Sequence, residues 1–145
     1  MKTVFSKTLI NAAAMLSLTG SLYAQWMQQT FPSTEDLYKV RFVNSHVGWV
    51  LGASGVYKTV DGGISWTMQD STGGYGDALF ALNEDVAFYS SSGPLSQPSP
   101  RWLRRTIDGG ISWQTADSSY FRYSDFAFVS DSTGYAVAWD PDFSN

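Results

Sequence analysis

Residues 59–66 read Thr-Val-Asp-Gly-Gly-Ile-Ser-Trp, and residues 106–113 repeat them with one conservative change as Thr-Ile-Asp-Gly-Gly-Ile-Ser-Trp. The two copies lie 47 residues apart. Self-similarity at a fixed period of about 20 to 50 residues is typical of proteins built from stacked repeats. The motif therefore predicts a fold made of similar units, and the rest of the chain can be aligned to that period.

The motif has the chemistry of a tight turn between two strands. Asp-Gly between β-type segments is a strong hairpin signal, because glycine reaches positive φ and the aspartate carboxylate can accept backbone N–H bonds from the turn. The tryptophan offers a large apolar face to a neighbouring unit. The defining positions are Thr59, Asp61, Gly62, Gly63, Ser65 and Trp66 in the first copy, and Thr106, Asp108, Gly109, Gly110, Ser112 and Trp113 in the second.

This pattern resembles the Asp box, also called the bacterial neuraminidase repeat, of sialidases, sortilin and several glycoside hydrolases. The variant Thr-x-Asp-Gly-Gly-x-Ser-Trp, after a strand with Gly48-Trp49-Val50 and a strand at 55–59, is similar to the β-propellers related to the photosystem II stability and assembly factor. The resemblance covers roughly Tyr38 to Trp139. It implies that the box is a structural turn between the two outer strands of a blade and not a catalytic site.

The first 24 residues have the organisation of a secretory signal peptide. Lys2 and Lys7 give a positive start, residues 9–18 are mostly apolar, and small residues lead to Ala24. The apolar stretch is shorter than the roughly 20 residues of a stable membrane span. We therefore expect cleavage after Ala24, export to the periplasm, the cell surface or the extracellular space, and no membrane insertion afterwards.

Composition narrows the classes of partner and site. After loss of the leader, 7 basic and 13 acidic residues remain, for a net charge of −6. An acidic chain is not expected to bind nucleic acid or an anionic membrane. The sequence has no cysteine, so it has no disulfide, no lipoprotein anchor and no cysteine metal site. High aromatic content without long helical periodicity predicts an all-β fold.

Strand patterns divide the rest of the chain into blades. Residues 25–37 lead into the first blade with a strand near 25–30. Blade 1, residues 38–77, is predicted to hold strands at 38–42, 47–51, 56–59 and 66–69, with the box at 59–66. Blade 2, residues 78–120, is expected to repeat this plan, with Phe80 and Leu82 in the places of Val40 and Phe42. It has its box at 106–113 and a Ser/Pro-rich loop insertion at 90–100.

A third blade begins at 121–145 without a third box. Phe126, Phe128 and residues 134–137 reproduce the first blade at a constant shift of 86. Propellers usually have about four to eight blades, so two and a half cannot close a ring. The sequence predicts an incomplete β-propeller, the amino-terminal part of a larger protein. We expect uncovered faces at both ends, exposing Phe42, Trp49, Phe88 and Tyr135.

No arrangement of residues predicts a catalytic, cofactor-binding or metal site. A basic cluster could bind a carboxylate or phosphate, or could be a solvated strand; it contains Arg101, Trp102, Arg104 and Arg105. His46 has no partner at ligand spacing. Scattered acids could supply a glycosidase carboxylate pair or could be turn residues; they are Asp125, Asp131, Asp140 and Asp142.

The resemblance to sialidases implies an arginine triad gathered from several blades, for which Arg41 and Arg122 are the early candidates. The sequence lacks the Phe-Arg-Ile-Pro motif of those enzymes. The favoured hypothesis is an exported, non-catalytic β-propeller scaffold that binds a protein or a glycan. The alternatives are a fragment of an Asp-box glycoside hydrolase such as a sialidase, and a structural repeat of a large secreted adhesin.

Overall fold

The computed structural model describes residues 9–12, 26–71, 75–92, 101–118, 121–130 and 132–140. Every regular element among these residues is a β-strand, which confirms the all-β prediction. The strands are β1 Leu9–Ala12, β2 Trp26–Gln29, β3 Leu37–Phe42, β4 Gly48–Gly52, β5 Val56–Thr59, β6 Thr67–Asp70, β7 Tyr75–Ala81, β8 Ala87–Ser92, β9 Arg101–Thr106, β10 Gln114–Asp117, β11 Arg122–Phe128 and β12 Gly134–Trp139.

The strands form antiparallel sheets in chain order. Strands β3 to β6 make one four-stranded meander, here unit 1, and β7 to β10 make a second, unit 2. Strands β11 and β12 pair as unit 3. This is the predicted content of two and a half blades. Strand β1, which lies within the predicted leader, pairs with β2 outside the three units.

The structure moves two of the predicted boundaries. The division predicted after residue 77 falls inside β7, which pairs with β8 from Tyr75 onward. Ser90 to Ser92, expected in the loop insertion, belong to β8 because they pair with Leu103, Trp102 and Arg101 of β9. The remainder of that insertion, residues 93–100, lies outside the described residues.

Pairing also corrects the alignment of β7 with β3. Phe42 pairs with Gly48 in unit 1, and Ala81 pairs with Ala87 in unit 2. The shift is therefore 39 residues, not 40, so that Leu79 occupies the place of Val40. Strand β7 packs against a neighbour on each face, with Leu79 against unit 1 and Phe80 against unit 3. Both faces of the strand therefore carry apolar side chains. A strand of this kind carries no alternation from which a register could be read.

The main core lies between units 1 and 2. It contains Trp49, Leu51 and Val56 from unit 1, and Leu79, Ala87 and Tyr89 from unit 2, with Ala81 and Trp113 packed against it. All six central side chains are at most 2% exposed. Trp49 meets Trp113 edge to face at 5.9 Å, and Trp113 meets Tyr89 at 5.1 Å.

Units 2 and 3 pack through aromatic rings and polar side chains. The ring of Phe128 stacks on Phe80 at 4.8 Å and lies 5.0 Å from Phe88. The Arg122 guanidinium forms an ion pair with Asp77 at 2.8 Å, and the Asp77 side chain is only 5% exposed. Unit 3 therefore stacks on unit 2 in the same order as unit 2 stacks on unit 1.

The two ends of the stack differ, contrary to the expectation that both are uncovered. Phe31 and Leu37 cover the part of the outer face of unit 1 where Val50, Tyr57 and Trp66 are buried. Other apolar side chains of that face are 42% to 47% exposed, namely Val40, Phe42 and Met68. The outer face of unit 3 is open, since Tyr135, Val137 and Trp139 are 52% to 67% exposed.

Of the four side chains expected to be exposed at these ends, two are buried wholly or in part. Trp49 is fully buried under unit 2, and Phe88 is half-buried against unit 3. Phe42 and Tyr135 are exposed, as expected.

Candidate functional site

Both boxes form the same turn, and the turn requires its two glycines. Gly62 and Gly63 have φ values of 74° and 92°, and Gly109 and Gly110 have 73° and 95°. Residues that carry a Cβ atom rarely adopt this left-handed backbone region. The Gly-Gly pair is therefore fixed by backbone geometry at both sites.

A buried threonine organises each turn. The Thr59 hydroxyl accepts from the Gly63 N–H at 2.9 Å and donates to Asp61 Oδ1 at 2.7 Å. Thr106 makes the equivalent bonds to Gly110 and Asp108 at 2.9 Å and 2.8 Å. Each threonine is 1% exposed, so its hydroxyl provides a hydrogen-bond acceptor for a backbone N–H that water cannot reach.

The box aspartates are occupied by their own turns. Asp61 accepts from the Ser65 hydroxyl at 2.6 Å and from the Ser65 N–H at 2.9 Å. Asp108 repeats both bonds with Ser112 at 2.6 Å and 3.0 Å. The serine hydroxyl bond, followed by the backbone bond, lowers the pKa of each carboxyl to about 2. Such a carboxylate is suited to holding a turn, since its own turn already supplies three hydrogen-bond donors.

The depressed pKa values predict loss of stability in acid. A carboxyl with a pKa of about 2 when folded and a usual value of 3.8 stabilises the fold above that usual value. The contribution should disappear as the pH falls from 3.8 towards 2. Melting temperatures measured across this range should therefore fall less steeply for Asp61→Asn and Asp108→Asn than for the parent protein. Equal slopes would show that these carboxylates do not hold the turns.

Each box is also tied to the loop that precedes the second strand of its own unit. Gly62 N–H donates to the His46 carbonyl at 2.8 Å, and Gly109 N–H donates to the Asp85 carbonyl at 2.9 Å. His46 lies in an exposed turn, where its Nδ1 is 3.0 Å from Ser45 Oγ. The single histidine is thus part of a turn that supports the first box.

Lys58 links unit 1 to the box of unit 2. Its ammonium group donates to the carbonyls of Glu84 at 2.8 Å and Gly109 at 2.9 Å. The same group lies 4.7 Å from the centre of the Trp49 ring, within range of a cation–π interaction. Burial lowers the pKa of Lys58, against the opposing effect of the nearby Asp85 and Glu84 carboxylates.

The structure separates the four residues of the predicted basic cluster. Side chains alternate along β9, so Arg104 points towards unit 1 and Arg105 points to the opposite face. Arg104 binds Asp70 at 3.0 Å, and the Tyr89 hydroxyl donates to the same carboxylate at 2.8 Å. Arg105 is exposed and stands in unit 2 where Lys58 stands in unit 1. Arg101 and Trp102 are half-buried, on opposite faces of the strand.

Each of the two arginines considered for a sialidase-like triad has a partner within the described structure. Arg41 donates to the carbonyl of Val40 at 3.1 Å, and Arg122 is bound to Asp77. Of the scattered acids, Asp125 accepts from the Phe126 N–H at 2.9 Å, while residues 131 and 142 lie outside the described part of the chain. Within that part, no group of three or more His, Cys, Asp or Glu side chains is arranged to hold a metal ion. Its residues also form no helix of the length and apolarity needed to cross a membrane.

Sequence reasoning missed the acids that join neighbouring elements. Asp70 and Asp77 bind arginines of the next unit, and Glu35 accepts from the Tyr57 hydroxyl. These partners are 22 to 45 residues apart in the chain. The one sequence feature that could have indicated such a contact is the position of Asp70 at the end of the strand that follows the box.

Two complete boxes, each between the third and fourth strands of stacked four-stranded meanders, define an array of Asp-box β-propeller blades. The chain belongs to the family of photosynthesis system II assembly factor YCF48, whose family model matches residues 19–120. This confirms the resemblance identified in the sequence.

Among solved structures, the chain is similar to YCF48 bound to D1 peptide, with a TM-score of 0.58 and 17% sequence identity. The match covers 74% of this chain and 34% of that one, so this chain spans about a third of the solved YCF48. At this identity the likeness supports the fold. Comparison with curated proteins finds no match.

Proposed function

We propose that this chain is part of a non-catalytic β-propeller scaffold that binds a protein partner through an extended peptide segment. The observation that carries the proposal is that a protein of the same fold, YCF48, has been solved bound to D1 peptide. The local geometry is compatible with a scaffold, because the box carboxylates are used by their own turns. The glycan alternative has no comparable support.

Arg105 is the best candidate for contact with such a peptide. It is exposed and lies on the face of β9 opposite Arg104, which is held by Asp70. A guanidinium group binds a carboxylate in a two-point, charge-assisted arrangement. A peptide with an acidic side chain or a free carboxyl terminus would provide a carboxylate for the Arg105 guanidinium.

Binding can be tested with the D1 peptide as a labelled probe in fluorescence anisotropy. Arg105→Ala should weaken binding about tenfold, the effect of losing one charge-assisted contact. Arg41→Ala is a suitable control, because it removes another exposed guanidinium, one that donates to the carbonyl of Val40 in its own strand. Equal loss with both variants would indicate general charge attraction, and no binding by the parent protein would remove the support for a peptide scaffold.

Two further assays separate the alternative functions. A glycan array that gives a saturable signal in the absence of peptide binding would favour the glycan scaffold. Release of 4-methylumbelliferone from its sialic acid conjugate, above a heat-denatured control, would favour the sialidase alternative. We expect neither signal from this chain.

We also propose that the protein is exported and cleaved after Ala24, on the basis of Lys2, Lys7 and the apolar residues 9–18. Cleavage would remove β1 and leave β2 without that partner. Mass spectrometry of the periplasmic and culture fractions should find a chain that begins at Gln25. Recovery only of the intact chain from the cytoplasm would contradict export.

A further inference from the structure

Each box contains an Asp-Gly peptide bond, the sequence at which a protein backbone rearranges most readily. Residues 61–66 and 108–113 are identical and read Asp-Gly-Gly-Ile-Ser-Trp. Glycine has no Cβ atom to shield its backbone nitrogen, so this nitrogen can approach the carboxyl of the preceding aspartate. Because the two sequences are the same, a difference in reactivity between the two sites has to come from the structure around them.

The rearrangement needs no oxidant, metal or second substrate. The backbone nitrogen of Gly109 forms a bond to Cγ of Asp108, and a C–O bond of the protonated carboxyl breaks. The oxygen leaves as water, with one proton from the carboxyl and one from the amide, and a five-membered succinimide remains. Water then opens this ring at either carbonyl carbon. Opening at Cγ restores aspartate, and opening at the main-chain carbonyl gives isoaspartate, in which the backbone runs through Cγ.

The folded box gives both reacting groups other partners. The Asp108 carboxylate accepts from the Thr106 hydroxyl at 2.8 Å, and from the Ser112 hydroxyl and N–H at 2.6 Å and 3.0 Å. These bonds, the Ser112 hydroxyl most of all, lower the pKa of Asp108 to about 2, and an ionised carboxyl does not lose its oxygen as water. The Gly109 N–H donates to the Asp85 carbonyl at 2.9 Å. Rearrangement therefore requires local opening of the box.

A lysine from unit 1 holds the box of unit 2 closed. The Lys58 ammonium donates to the Gly109 carbonyl in the box and to the Glu84 carbonyl in the loop that supports it, at 2.9 Å and 2.8 Å. A Cβ atom on Gly109 would lie only 3.0 Å from Lys58 Nζ, so the ammonium lies directly against the residue that supplies the attacking nitrogen. Both bonds are charge-assisted. Opening this box therefore breaks contacts between the two units as well as bonds within the turn.

We propose that the Asp61–Gly62 and Asp108–Gly109 bonds are sites of isoaspartate formation, and that Lys58 suppresses the reaction at Asp108 by holding the second box closed. In isoaspartate the free carboxylate is attached directly to Cα, and the backbone is longer by one carbon. The turn then loses the carboxylate geometry that its threonine and serine bind. The contact between units 1 and 2 thus preserves the covalent structure of the second box, and isoaspartate accumulates there when this contact opens.

The identical boxes provide an internal reference for a test on the full chain. After incubation at mildly acidic pH, peptide mapping with electron-transfer fragmentation distinguishes isoaspartate from aspartate at each site. Both sites should react at nearly the same rate in urea, and both should react more slowly in the folded chain. Lys58→Met keeps the apolar stem of the side chain but removes the donor, and should raise isoaspartate at Asp108 about tenfold with little change at Asp61. Lys58→Gln provides a second variant if the methionine variant folds poorly.

Removal of the serine hydroxyl tests the bonds within each box. Ser112→Ala should raise isoaspartate about tenfold at Asp108, and Ser65→Ala should do so at Asp61, because each hydroxyl donates to the aspartate of its own box. Both serines are exposed, so neither change leaves a cavity. A folded chain that reacts as fast as in urea, serine variants without a local increase, or Lys58 variants that alter both boxes equally or neither, would each overturn the proposal.

Discussion

Trp49→Ala is expected to lower the free energy of unfolding by about 3 to 5 kcal/mol, the usual cost of replacing a buried tryptophan by alanine. Trp49 is 0% exposed, meets Trp113 of unit 2, and packs with Lys58 and Leu51 of its own unit at the core between units 1 and 2. Its loss would leave a cavity at the interface and remove the ring on which the Lys58 ammonium lies. Urea unfolding followed by intrinsic fluorescence would measure the change.

Tyr135→Ala is the matched control, because Tyr135 holds the same position in unit 3 but is 67% exposed. We expect it to change the free energy of unfolding by less than about 0.5 kcal/mol, as exposed substitutions usually do. Trp49→Phe should cost less than alanine, since the Trp49 indole nitrogen has no hydrogen-bond partner among the described residues and phenylalanine retains the aromatic contact. Similar losses for Trp49→Ala and Tyr135→Ala would contradict the stacking order described above.

The second large effect concerns the open face of unit 3. Residues 25–145 expressed alone should self-associate or melt broadly, because Tyr135, Val137 and Trp139 are left in water. Each such side chain contributes about 1.5 to 3 kcal/mol when fully buried. Together they are comparable to the stability of a small domain, about 5 to 15 kcal/mol. We therefore expect self-association of the chain to bury the unit 3 face.

Replacing these three residues by Ser, Thr and Ser should reduce self-association by at least about tenfold, as judged by light scattering. Three apolar residues on the box turns that are at least as exposed provide the control: Val60, Ile64 and Ile111. Changing those to threonine should leave association unchanged. A parent chain that is monomeric and melts sharply would show that the unit 3 face needs no partner.

The boxes could be predicted from sequence because their chemistry is local. Thr59, Asp61, Gly63 and Ser65 lie within seven residues, and their bonds join positions two or four apart. The contacts between units could not be predicted in this way. Lys58 reaches Gly109 across 51 residues, and Arg104 reaches Asp70 across 34. Nothing in the local pattern identifies such a partner.

The errors at the ends of the stack have a related cause. A four-stranded unit is apolar on both faces, so its sequence does not show which face meets the next unit. Trp49 was expected at an open end for this reason, but it points towards unit 2. The partners of Glu35 could not be predicted either, because Glu35 lies in an irregular segment that carries no repeat.

The link between Lys58 and Gly109 gives the stack a polarity. Unit 1 supplies a cation and the Asp70 carboxylate, and unit 2 supplies the carbonyls and the arginine that receive them. If the order of the two units were inverted, Lys58 would no longer face the Gly109 carbonyl, and Asp70 would no longer face Arg104. Lys58 and Asp70 therefore fix which face of unit 1 meets unit 2.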